Sequence, residues 1–204
     1  MSLELYLAFI AASVVITVIP GPTVSLVVAN SLTHGTRAGL LNVAGTQLAL
    51  AGMMLVLVLG LSSVVATMGW LFDWLRWAGA AYLVYLGWKM LRASGTLDPS
   101  IATPRPRGGF FLQGFLVMAS NPKVLVFFGA FIPQFVSPGG DQTSQIILLC
   151  ATAMVIAAIS DSLYAVLTGR ARALFSRRRL RILSAAGGAT LIGGGIWLAL
   201  TRGK

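Results

Sequence analysis

Between Leu5 and Thr33 the chain carries no charged residue, yet the run is interrupted midway by Ile19-Pro20-Gly21-Pro22-Thr23. About 20 mostly apolar residues suffice for a membrane-spanning helix. Proline removes a backbone donor and clashes with the preceding turn, and Gly21 adds backbone freedom, so a helix crossing Pro20 to Pro22 must break or kink. In hydrocarbon the freed backbone groups are costly, so such a break survives only where protein or a watery cavity re-satisfies it. Two outcomes are open for an isolated Pro-Gly-Pro: a plain kink, or a broken helix that lines a site.

The rest of the chain agrees with a membrane setting. Its 204 residues are 57% hydrophobic and 10% charged, against about 45–50% and about 25% in soluble domains. The first apolar stretch is too long for a signal-peptide core and lacks a basic segment before it, so it is expected to be a retained span. A lone cysteine, Cys150, excludes a disulfide or a cysteine metal site within one chain. The net charge of +10 would suggest nucleic acid in a soluble protein. Here the charges flank apolar runs, so topology accounts for them and no nucleic-acid partner is expected.

Six segments are long and apolar enough to span: Leu3–Leu32 (broken at the prolines), Ala38–Ala66, Trp70–Leu91, Phe110–Val136, Ser144–Thr168 and Ile182–Thr201. The first, third and fifth connections, with their flanks, hold 11 of the 15 Lys and Arg residues, including Arg177, Arg178, Arg179 and Arg181. The positive-inside bias puts those loops in the cytoplasm and both termini outside. The arginine cluster is then expected to meet anionic lipid headgroups. Trp70 and Trp88 sit near the ends of the third span, as interfacial anchors do. Gly187, Gly188, Gly193, Gly194 and Gly195 in the last span permit close helix contact, either within the protomer or in a homodimer.

A second break, Ser120-Asn121-Pro122-Lys123, lies about 100 residues after the first, each in the first span of its half. With three spans per half, the second half enters the membrane with opposite polarity. The expected architecture is therefore all-α: two inverted three-helix repeats, residues 1–98 and 110–204, joined by a cytoplasmic linker at 99–109. In such proteins the interrupted helices meet near the bilayer midplane around a substrate.

The residues near the breaks suit a small zwitterion. Half-helix N-termini present unpaired N–H groups and a partial positive charge, which favour a carboxylate, and proline is tolerated at such starts. Pro20, Gly21, Pro22 and Thr23 on one side, and Asn121, Pro122 and Lys123 on the other, are the candidate substrate-binding residues. Gln47 on the second span joins them, deeper than Asn42. Lys123 and Asp161 are the ionisable groups deep within spans, where a charge costs at least about 2.5–3.5 kcal/mol and so faces a partner or a cavity. The pair is either a structural salt bridge or a working one, with Asp161 handling a proton or an amine and Lys123 partnering a carboxylate. His34, beside Gly35, reads as an exposed loop residue.

Taken together and in order, several segments carry a resemblance: Pro20-Gly21-Pro22; Ser31-Leu32-Thr33-His34-Gly35-Thr36-Arg37-Ala38-Gly39-Leu40; Gly45; Gly114-Phe115; Asn121-Pro122-Lys123-Val124 with Phe127-Phe128; Phe131-Ile132-Pro133-Gln134-Phe135; and Asp161. Over essentially its full length the chain resembles the lysine exporter (LysE/RhtB) family of bacterial amino-acid efflux proteins. That resemblance implies six helices, a place in the cytoplasmic membrane, and export of amino acids or close derivatives, with protons as the coupling ion. The family pattern usually has asparagine after Pro-Gly-Pro where this chain has Thr23, which keeps a donor and an acceptor but loses reach.

Other classes fare poorly. The spans offer no histidine, carboxylate pair or cysteine–histidine couple for acid–base or nucleophilic chemistry, and no Gly-rich Gly-Lys-Ser/Thr loop marks ATP use. Neither enzyme activity, metal nor cofactor is expected. A channel or lipid-handling protein on the same scaffold is the remaining alternative.

Overall fold

The structure, a computed structural model, describes residues 1–58, 69–95, 106–121, 123, 124, 127, 131–137, 141–171 and 177–200. Among these, seven α-helices and no strands occur: α1 (Leu3–Val18), α2 (Pro22–His34), α3 (Thr36–Val58), α4 (Gly69–Gly95), α5 (Gly109–Ala119), α6 (Gln142–Ala171) and α7 (Arg177–Leu200), with a 3-10 turn at Ile132–Phe135. By length and composition α3 and α6 can cross a membrane, and α1 with α2 form a third candidate span bent by 52°. The expected fourth span, Phe110–Val136, and the linker at 99–109 lie partly outside the described residues. The side chains of Trp70 and Trp74 also lie outside them.

The bend follows from local chemistry. Proline disfavours helical backbone in the residue before it, and Ile19 is extended (φ −67°, ψ 116°), which ends α1. Pro22 then starts α2 at its first helical position. Gly21 is extended too (φ −122°, ψ −167°), and a Cβ there would meet the Lys123 Cδ at an ordinary 3.6 Å. The prolines, rather than glycine freedom, make the break. Gly35, between α2 and α3, does use the left-handed region (φ +89°). His34 is the last residue of α2 rather than a loop residue, its ring 4.9 Å from that of Phe110.

On α6, Ala153, Ala157, Asp161 and Ala165 recur every four residues, and Ala153, Asp161 and Ala165 are buried. Val155, Ile159, Leu163 and Leu167 recur two positions later, about 200° around the helix, and are exposed. An exposed aliphatic face of that kind is stable against lipid and costly against water.

Small residues let helices approach closely. A Cβ on Gly114 would lie 2.8 Å from the Asn42 Cα, and one on Gly45 would lie 2.9 Å from the Phe111 carbonyl carbon, so α3 and α5 touch backbone to backbone. Gly188 faces the Gly87 carbonyl at 2.8 Å and Gly195 faces that of Ala80 at 2.8 Å, which seats α7 on α4. These α7 glycines therefore serve packing inside the protomer. Gly114→Ala should destabilise the protein by about 1–3 kcal/mol through overpacking, whereas Gly193→Ala, with nothing within 4 Å of its Cβ, should be neutral. Thermal melting in detergent measures both.

Asp141 caps α6. Its Oδ1 accepts the Thr143 N–H at 3.0 Å and the Ser144 N–H at 3.3 Å, and its Oδ2 accepts the Ser144 hydroxyl at 2.5 Å. The Ser144 hydroxyl, followed by its amide, holds the exposed carboxyl below the usual carboxylate range. A lowered folded pKa means that the cap is fully present above that range and is lost as pH falls through the lower folded value. Amide-exchange protection at Thr143 and Ser144 should therefore drop in strong acid. In Asp141→Ala it should be weak at every pH.

Candidate functional site

The two breaks meet. Asn121 interrupts the chain after α5, and its side chain works in two directions: Oδ1 accepts the Lys123 N–H at 3.1 Å, and Nδ2 donates to the Thr23 hydroxyl at 2.8 Å. Thr23 in turn donates to the Met118 sulfur at 3.8 Å. Thr23 and Asn121 are both buried. This junction ties the start of α2 to the chain beyond α5, 98 residues away in sequence.

The broken end of α1 is re-satisfied from a distance. Lys123 donates its ammonium to the Ile19 carbonyl at 2.7 Å, and the Tyr164 hydroxyl donates to the Val18 carbonyl at 3.1 Å. Both carbonyls belong to a helix C-terminus, where a cation also meets the negative end of the helix dipole. A freed backbone group in an apolar setting requires this kind of partner.

The N-terminus of α2 is left open. Gly21 caps it without a side chain, and its carbonyl accepts the Ser25 N–H at 2.9 Å, which leaves the Thr23 and Val24 amides without a partner inside the helix. The helix start after Asn121 is different: Asn121 accepts the Lys123 amide through its side chain and the Val124 amide, at 3.1 Å, through its carbonyl.

Gly21, Thr23, Asn121, Lys123 and Asp161 all line one cavity of about 80 Å³, where one water occupies about 10–15 Å³. Thr17 of α1 is the remaining polar residue in the wall, and aliphatic or aromatic side chains supply the rest. Asp161 is only 2% exposed. Lys123 and Asp161 form no direct ion pair; they share the cavity while the lysine ammonium serves the Ile19 carbonyl.

Not every expected residue arrives here. Pro20 and Pro22 shape the break but do not line the cavity, and Pro122 lies outside the described residues. Gln47 is half-buried away from the cavity, with its Nε2 unpaired among the described residues. Asn42 is fully buried in a separate cluster, where Asn30 Nδ2 donates to Asn42 Oδ1 at 2.7 Å and to Gln113 Oε1 at 2.9 Å. Asn42 Nδ2 donates to the Phe110 carbonyl at 2.6 Å, which completes a joint between α2, α3 and α5. Asn30, Gln113 and Tyr164 are additions to the sequence reading. Their signal was available as uncharged amides or a hydroxyl inside apolar runs, but which partner each would find was not.

The model of the LysE type translocator family matches residues 14–202. The chain belongs to the LysE family. A LysE family member is a membrane translocator, so this protein moves a solute and is not an enzyme. The homoserine/homoserine lactone efflux protein of Salmonella typhimurium is 33% identical over 205 residues, covering 99% of each chain. The leucine efflux protein of Salmonella choleraesuis is 29% identical over 166 residues, covering 80% of this chain and 78% of the relative. An uncharacterized membrane protein of Vibrio cholerae is 31% identical over 160 residues, 78% of each chain. No solved structure matches the chain.

Proposed function

We propose that the protein is a secondary exporter of small amino acids or close derivatives, exchanging them for protons by alternating access. The observation that carries this reading is the Asn121–Thr23 junction of two helix breaks beside a cavity that the buried Asp161 also lines. The names of the two efflux relatives point to the same substrate class. The Thr23 and Val24 amides, which have no partner within α2, suit a carboxylate, and Asp161 suits an ammonium. One carboxylate holds either a proton or an ammonium, not both, and that competition is the simplest source of antiport.

The proposal includes six spans as two inverted repeats, residues 1–98 and 110–204, about a linker at 99–109. Packing supports it: α4 lies along α7, α3 along α5 and α6, and α2 along α6 and α7, so each half is seated on the other. The repeats would rock about the junction, opening the cavity to either side in turn. The positive-inside bias supports a bacterial cytoplasmic-membrane location with both termini outside and the Arg177–Arg181 segment against anionic headgroups.

Counterflow tests the proposal. Proteoliposomes loaded with unlabelled leucine or homoserine should accumulate the labelled compound transiently and saturably. Flux that never saturates would instead favour the channel reading. No flux of any amino acid would end the exporter reading.

A further inference from the structure

We infer that the cavity recognises a primary ammonium joined to a compact, uncharged aliphatic group, and that Ala157 and Ala153 set the length of that group. This inference rests on the exporter reading and names the substrate class of the same cavity. Asp161 is the one buried carboxylate in the wall, and the carboxylate-free face of α6 runs away from it. Ala157 lies one turn from Asp161 and Ala153 a second turn, about 6 Å per step. Both line the cavity, whose wall also includes Leu50, Phe127 and Met154.

Beyond an ammonium at Asp161 and a carboxylate at the α2 amides, the wall offers no partner for a third charge. Its charged side chains are Asp161 and Lys123, and the Lys123 ammonium donates to the Ile19 carbonyl at 2.7 Å. A basic side chain would find no carboxylate beyond Asp161. An acidic one would meet the like charge of Asp161 in the same wall. An unpaired charge in an apolar site is costly enough to exclude either. An aliphatic group, by contrast, replaces water against Leu50, Phe127 and Met154 at a gain for each buried methylene.

The two alanines are what leave this space. A leucine at position 157 would project into it from the same face as Asp161, one turn away. It would occupy the place of the substrate side chain while leaving the ammonium site intact. The expected result is therefore a change in selectivity rather than a uniform loss.

The test is counterflow in proteoliposomes with labelled leucine and labelled homoserine, each challenged with excess unlabelled compound. For the wild type, homoserine lactone should compete with leucine, since it keeps the ammonium, while N-acetylleucine, lysine and glutamate should not. Ala157→Leu should lower leucine exchange about tenfold or more relative to homoserine, as one to a few methylenes do in an apolar pocket. Ala157→Gly, which adds no bulk, should shift preference the other way and admit phenylalanine; it also serves if the leucine variant fails to fold. Competition by lysine or glutamate as strong as that by leucine would overturn the inference alone. So would equal scaling of all substrates in both variants. A wild type that exchanges no amino acid would overturn the exporter reading and this pocket with it.

Discussion

Asp161→Asn is expected to abolish uphill export under an imposed pH gradient while leaving the fold intact. Asparagine keeps the size and shape of the side chain, so the α6 face formed by Ala153, Ala157 and Ala165 is undisturbed and the melting temperature should hold. What changes is the charge. Removing one partner of a buried, hydrogen-bonded charge pair costs about 2–5 kcal/mol, so apparent affinity for a substrate ammonium should fall by about two orders of magnitude. The residual flux should no longer respond to pH, since an amide at this position binds no proton. Three assays separate the effects: melting in detergent reports folding, counterflow reports binding and exchange, and accumulation against a gradient under a pH jump reports coupling. Wild-type accumulation by Asp161→Asn would defeat the coupling role assigned to this carboxylate.

The second large effect is expected at Asn121. Its side chain caps the half-buried Lys123 amide and satisfies the buried Thr23 hydroxyl. In Asn121→Ala the loss of a helix cap, about 0.5–2 kcal/mol, combines with desolvated groups left unpaired, about 1–3 kcal/mol. The variant should melt lower and transport poorly, an outcome that a structural role alone would also produce. Asn121→Ser separates the two roles. Serine keeps a cap acceptor but is too short to reach Thr23, so most of the stability should return while exchange stays low. If Asn121→Ser transports normally, the link between the two breaks is dispensable and the junction is only a helix cap.

Much of the scaffold was legible in the residues themselves. Proline acts on its own turn and on the residue before it, so the ends of α1 and α2 follow from Pro20 and Pro22 whatever surrounds them. The same holds for Asn121, whose side chain caps the helix start by accepting the Lys123 amide. Long apolar runs likewise announce their helices, because in lipid every backbone group must be bonded within the segment. The meeting of Thr23 and Asn121 was expected from the matched spacing of the breaks, and Asp161 was singled out separately as an acid within the fifth span.

Partnerships between side chains were another matter. Lys123 and Asp161 stood out as a charge pair, yet the lysine serves the Ile19 carbonyl that the first break exposes. Gln47 was read as deeper than Asn42 and closer to the site, but α3 turns Gln47 away from the cavity and places Asn42 between Asn30 and the Phe110 carbonyl. The reason lies in the solvent. In water a helix shows its inward face by its apolar stripe; in lipid the outward face is as apolar as the inward one. On α6, Ala153–Ala165 and Val155–Leu167 are both apolar stripes, and nothing in their spacing says which meets protein. Sequence alone therefore determined where the helices break, since that is decided within a turn of each proline. The rotation of each helix, and with it the choice of partner for every buried polar group, was decided only when α3, α5 and α6 packed together.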